Sequence, residues 1–362
     1  MQLPLHEIHT AAGAHFSVHA PWDLPAHYGK PHEEYQQIRN GLSLADLSHQ
    51  GLWLITGADR VKFLQGLISN DLPKAETQRG KQACLLTAKG KILSDFFLYP
   101  ISEGFLMTLE YSNAEDTKTQ LLRFRMRSKV EMTRPDWGRL LVSGPKAQNL
   151  LNAFLGEDFH DLQEHSFFEK EINGIPILCI KHTITGEDDF HLYAPLEKLE
   201  TLWSDLLSKG AQWQIQAVGQ TALEIARIEA GRPRYNIDMN EDTLPNEAGI
   251  QDQVISYTKG CFPGQEVIAR IKTYGHVNKQ LSGLILEGEI LPKPGAEIFH
   301  DKKSVGWVTS TTKSPLLGKI VAMGYLRREA LETGTTLSVM LDSGEIPATT
   351  TPLPFYSKQT KK

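Results

Sequence analysis

Polar and apolar positions along the chain follow two alternating rhythms. Short apolar runs with strand-like composition alternate with segments whose apolar residues recur every three to four positions. "PHEEYQQIRNG" reads as a helix from Pro31 to about Arg39, stopped by Asn40-Gly41. "GLWLITG" reads as a strand, and "GADRVKFLQGLISND" as a short amphipathic helix with Val61, Phe63, Leu64, Leu67 and Ile68 on one face. "ACLLTA", "KILSDFFLYP" and "GFLMTLE" read as successive strands separated by Lys-Gly and Ser-Glu-Gly turns. "NAEDTKTQLLRFRM" reads as a helix with Asn113 at its N-cap.

A similar order then recurs. "RLLVSG" is a strand, and "PKAQNLLNAFLG" a helix that opens on proline and closes on glycine. "IPILCIKHTI" and "FHLYAP" form a hairpin around "TGEDD", "LEKLETLWSDLLSKG" is an amphipathic helix, and "GQTALEIARIEAGRPR" is a helix stopped by Gly231. After Lys279 only short, closely spaced strands remain, the pattern of a small all-β barrel or sandwich. The expected organisation is an α+β body over residues 1–278, a β domain over 279–355 and a disordered tail over 356–362.

Composition narrows the class. With 362 residues the chain exceeds one ordinary core, and 40% hydrophobic with 22% charged residues is typical of a soluble globular protein. A net charge of −5 argues against direct nucleic-acid binding. The start, "MQLPLHEIHTAAG", lacks the features of a secretory signal, and apolar runs such as "IPILCI" are too short to span a membrane. Cys84, Cys179 and Cys261 are widely spaced with no CxxC pair, so free thiols in a reducing cytoplasm are the simplest expectation. His6 and His9 read as surface residues, and no metal site is expected.

Four stretches could carry chemistry. In "ISYTKGCFPGQEVIARIK", Cys261 sits at or just before a helix start, two residues after Lys259; the helix dipole and the ammonium both favour a thiolate. A buried structural cysteine in a Gly-Pro turn is the alternative. "TGEDDF" is either a solvated turn or a carboxylate aimed at ligand N–H donors. Asp95 interrupts an apolar strand, on the face of Leu93 and Phe97 and opposite Ile92, Ser94 and Phe96; it marks an exposed edge or a pocket-lining carboxylate. Arg227, Glu229, Arg232 and Arg234 cluster at a helix end, complementing its dipole or forming a cationic rim for an acidic ligand.

The stretch "YTKGCFPGQEVIARIKTYG" resembles the K-G-C-[FY]-x-G-Q-E signature of the YgfZ family of tetrahydrofolate-binding proteins. "LHEIHTAAGAHFSVHAPWDLPAHY", "GLSLADLSHQG", "TGEDDFHLYAP" and "RIEAGRPRYNIDMNEDTLPNEAG" resemble the wider family that includes the glycine-cleavage T-protein, an aminomethyltransferase. The resemblance implies a three-lobed, ring-like fold with a ferredoxin-like lobe, a terminal barrel and tetrahydrofolate in a central channel. It implies that Glu187 holds the pterin, and that Asp95 matches the second acid of the family's G-G-I-x-D-D run, with Ser94 replacing the first. Arg227 matches the second arginine of A-R-D-x-L-R-x-E-A-G, while Leu223 stands where the first is expected. Cys261 is expected to act beside the pocket as a catalytic thiolate with Asp95, Lys259 lowering its pKa, and Arg227 and Lys259 are expected to join Glu187 and Asp95 in holding the folate. The leading expectation is a monomeric cytoplasmic folate protein supporting iron–sulfur client enzymes, including those that modify tRNA. The rival is an aminomethyltransferase that delivers a one-carbon unit to tetrahydrofolate.

Overall fold

The computed structural model describes residues 1–157, 159 and 162–358. The body repeats one unit twice: a strand, a helix, a three-strand meander, a second helix and a last strand. In the first unit the antiparallel sheet runs Lys81–Leu86, Ile92–Ile101, Gly104–Leu109, Gly51–Thr56, Glu131–Thr133. In the second it runs Phe167–Ile172, Ile175–Lys181, Asp189–Pro195, Trp137–Ser143, then Ser43–Asp46 inserted before the parallel edge strand Gln216–Ala217. The recurrence expected from the pattern is therefore a repeat of topology.

Each sheet buries one face under its own helices. Phe63, Leu64 and Leu121 from Arg60–Gln65 and Ala114–Leu122 cover the first sheet. Val61, expected on that apolar face, is exposed, because this six-residue helix turns only Phe63 and Leu64 fully into the core. Leu150, Leu151, Leu202, Trp203 and Leu206 from Ala147–Leu155 and Leu199–Gly210 cover the second sheet. The opposite faces meet each other: Leu52, Tyr99, Ile101 and Leu106 pack on Phe167, Leu178, Ile180 and Tyr193.

The third lobe is a closed six-stranded barrel, ordered Lys279–Leu286, Lys319–Arg327, Lys303–Ser314, Glu297–His300, Thr336–Leu341, Gly344–Thr351. Closure leaves no unpaired sheet edge in this small lobe. The helix Gln220–Glu229 joins barrel to body, with Ile228 packed against Leu281, Val321, Met323 and Tyr325.

Three local expectations differ from the structure. Asn113 stands at the N-cap, but its amide donates to the Leu93 carbonyl at 3.1 Å and makes no cap bond. His9 is buried rather than exposed, held by Asp46 at 3.1 Å and by the Tyr28 hydroxyl at 2.9 Å. The tail expected to be disordered from residue 356 begins with a buried Tyr356, because its ring stacks under a guanidinium and its hydroxyl reaches a carboxylate. Residues 359–362 of that tail lie outside the described residues. Among the described residues, no helix is long and apolar enough to cross a membrane.

Candidate active site

Beside the packed interface, the two sheets, the helix Gln220–Glu229, the barrel and the C-terminal segment enclose a cavity of about 1240 Å³. All three lobes contribute to its wall, so it exists only in the assembled fold.

Asp95 lines this cavity with Phe97, while Ser94 and Phe96 point into the core. The expected faces of Ile92 and Leu93 are exchanged, because a bulge at Leu93 breaks the alternation: Leu93 packs with Phe96, and Ile92 packs with Cys84 and Leu86. Its strand lies between two others, which rules out the exposed-edge reading. Burial raises the Asp95 carboxyl to about 7; the Gln82 hydrogen bond opposes this and the charge of Glu110 adds to it. Gln82 Nε2 donates to Asp95 Oδ2 at 2.7 Å. A carboxyl poised in this range exchanges a proton near neutral pH.

Glu187 lines the cavity from the other sheet. The turn that carries it is not solvated: Thr185, Glu187 and Asp189 are buried. Asp189 shapes it by accepting from the amides of Ile184 at 2.7 Å and Thr185 at 2.8 Å. The Tyr356 hydroxyl donates to Glu187 Oε1, and Arg39 Nη1 lies 3.8 Å from the same oxygen. Arg39 is itself anchored to Glu229 at 2.7 Å and to the Thr185 carbonyl at 2.7 Å, and its guanidinium lies 4.1 Å from the centre of the Tyr356 ring. Sequence reasoning missed Arg39 and Tyr356; the one available signal was that a buried acid in "TGEDDF" demands a cation.

Arg227 borders the cavity, but its guanidinium is engaged by Glu224 at 2.6 Å, Asp238 at 2.7 Å and the Ser310 hydroxyl at 2.9 Å. Asp238 in turn accepts from Thr309 and Ser310, both at 2.6 Å, so this network ties the helix to the barrel. Leu223 also faces the cavity.

The cysteine loop lies elsewhere. Cys261 is exposed, and neither it nor Lys259 is among the described residues that line the cavity. Lys259 Nζ donates to the carbonyls of Ile68 at 2.6 Å and Asn70 at 2.8 Å, and burial lowers it to about 8. That ammonium is directed into the protein as a strut. The helix begins at Gln265, four residues after the thiol. Gly264 has a φ of 81°, and a Cβ there would meet the Thr87 carbonyl at 2.5 Å. Phe262 packs with Cys84, Ile92 and Ile268. The motif's glycine and aromatic residue thus have structural reasons of their own.

At a further part of the wall, His182 Nδ1 lies 2.9 Å from Glu164 Oε1, and the His165 and His182 rings stack with centroids 5.0 Å apart. Burial works against ionisation of Glu164, yet the hydrogen bond and charge of His182 hold it down at about 2. No spacing in the sequence announced this group.

A repeated α+β body closed by a barrel around an acid-lined cavity defines the class. Residues 5–258 match the GCVT N-terminal domain, and residues 279–357 the glycine cleavage T-protein C-terminal barrel domain. The chain belongs to the glycine-cleavage T-protein family. It is 30% identical to the aminomethyltransferase of Shouchella clausii (strain KSM-K16), covering 100% of this chain and 99% of that protein. It is 31% identical to the aminomethyltransferase of Rubrobacter xylanophilus, covering 98% and 94%. The crystal structure of glycine cleavage system aminomethyltransferase T from Bartonella henselae matches with a TM-score of 0.88 at 26% identity, over 99% of this chain and 98% of that one.

These matches correct the leading functional expectation. The cysteine motif pointed to support of iron–sulfur enzymes, but the full-length relatives carry the name aminomethyltransferase. The geometry agrees with the correction, since the cavity wall holds the acids and not the thiol.

Proposed function

We propose that this chain is an aminomethyltransferase that moves a one-carbon unit from an aminomethyl-lipoyl carrier to tetrahydrofolate, releasing ammonia and the free dihydrolipoyl carrier. The observation that carries this reading is one cavity with Asp95 on one sheet and Glu187 on a turn of the other. Its volume of about 1240 Å³ exceeds the usual ligand-pocket range of about 300–1000 Å³, leaving room for an extended ligand.

Each acid suits a part of a folate. Glu187 is a buried carboxylate with a cation beside it, a favourable acceptor for the N–H edge of a pterin ring. Asp95 would take up the proton lost when a folate nitrogen bonds to the one-carbon unit, a role its position near pH 7 favours. Gln82 would keep the Asp95 carboxyl oriented. Arg227 and Lys259 would act on the fold rather than on the ligand, through the contacts described above. In this reading residues 1–278 form the folate-binding body and 279–355 the barrel that closes it, a division supported by the two family matches.

The test is direct. Purified chain mixed with aminomethyl-lipoyl carrier and tetrahydrofolate should release ammonia only when both substrates are present. No ammonia above the uncatalysed rate overturns the proposal.

A further inference from the structure

We propose that Glu164, His165 and His182 form a site for a divalent transition ion of the zinc class, on the wall of the cavity. Their donor atoms, one from each residue, lie within 4.8 Å of one another. Four-coordinate zinc bound by nitrogen and carboxylate oxygen needs donors about 3.3 Å apart, so small side-chain rotations close the set. Two imidazoles and one carboxylate match catalytic zinc sites that keep a fourth position open. Here all three residues line the cavity, from which a ligand could reach that position.

The backbone around the donors is already held. The His165 amide donates to the Lys181 carbonyl at 2.7 Å, and the Gly80 amide donates to the His165 carbonyl at 2.9 Å. The Thr183 amide donates to Glu164 Oε1 at 2.9 Å, orienting the carboxylate. His165 has a φ of 67°, an unusual conformation for a side-chain-bearing residue. Its Nδ1 is buried with no hydrogen-bond partner among the described residues, an arrangement that a bound cation would relieve. Phe97 packs against both imidazoles, at 5.3 Å and 4.3 Å between ring centres, and restricts their rotation.

This site does not depend on the transferase reading. Chelator-treated full-length protein is titrated with Co²⁺ and with Zn²⁺, following the visible absorption of Co²⁺ and the heat of Zn²⁺ binding. One ion per chain and four-coordinate cobalt bands are expected. H165Q and E164Q, both at half-buried positions, should weaken binding by more than about tenfold, while Cys261→Ser should not. X-ray absorption of the zinc-loaded parent protein should show two imidazole ligands and no Zn–S distance near about 2.3 Å. Absence of binding, binding unchanged in folded H165Q and E164Q, or a sulfur ligand overturns the proposal.

Discussion

Gln82 and Asp95 meet diagonally across neighbouring strands, with Phe97 opposite Gln82 and Cys84 opposite Asp95, and the amide donates to the carboxylate at 2.7 Å within the cavity wall. This contact keeps Asp95 oriented while burial raises its carboxyl to about 7. In the proposed role the carboxylate is the active form. Transferase activity should therefore fall as pH drops through about 7, and D95N should lose that limb together with about 10²–10⁴-fold of the rate. A pH–rate profile of both proteins checks this.

The same ionisation acts on stability with the opposite sign. The folded carboxyl holds its proton to a higher pH than the unfolded one, so folded protein binds more protons between the ordinary aspartate range and about 7. Its stabilising contribution is complete below the unfolded value and is lost as pH rises through about 7. Urea unfolding at several pH values should show a decline over this window that is absent in D95N.

Glu187 tests the ligand assignment. A charge-assisted hydrogen bond is worth about 1.5–3 kcal/mol, so E187Q should bind tetrahydrofolate about 10–150-fold more weakly. Titration monitored by calorimetry measures it. Unchanged affinity would remove Glu187 from the pterin site.

Arg39 tests the buried network behind it. Arg39→Met leaves Glu229, fully buried, without its cation, although Tyr35 still donates to it at 2.7 Å. Loss of one partner from such a pair costs about 3–5 kcal/mol. The double variant R39M/E229L should recover much of this, because it removes the stranded charge as well. Denaturant midpoints of the three proteins decide the point.

Cys261 tests the corrected reading. The thiol is exposed and outside the cavity wall, so Cys261→Ser should keep transferase activity within about twofold and stability within about 0.5 kcal/mol. A large loss of activity would return the thiol to the chemistry.

Local signals foretold a large part of this molecule. The hairpin from Ile175 to Pro195 and the meander from Lys81 to Leu109 were readable because period-two alternation and turn residues act over a few positions. The strand Phe167–Ile172, "FFEKEI", carries no strand signal because three consecutive charged residues, Glu169 to Glu171, interrupt the apolar pattern, which an edge that water can reach tolerates. Asp95 stood out because an acid within an apolar strand violates the local pattern. Glu187 was identified through resemblance to the family, since its own neighbours read as an ordinary acidic turn. The "KGCFPGQE" stretch was recognised as a motif, but its position relative to the cavity was not written in it.

Strand periods, helix stops and the odd acid in an apolar run follow from steric and solvation rules that operate between near neighbours, and the sequence alone determined those. Tertiary structure decided which acids share a cavity and which cysteine does not. Glu187 meets Tyr356 across 169 positions and Arg39 meets Glu229 across 190. Such pairs form only once burial has removed water from both partners, and that burial is a property of the assembled lobes.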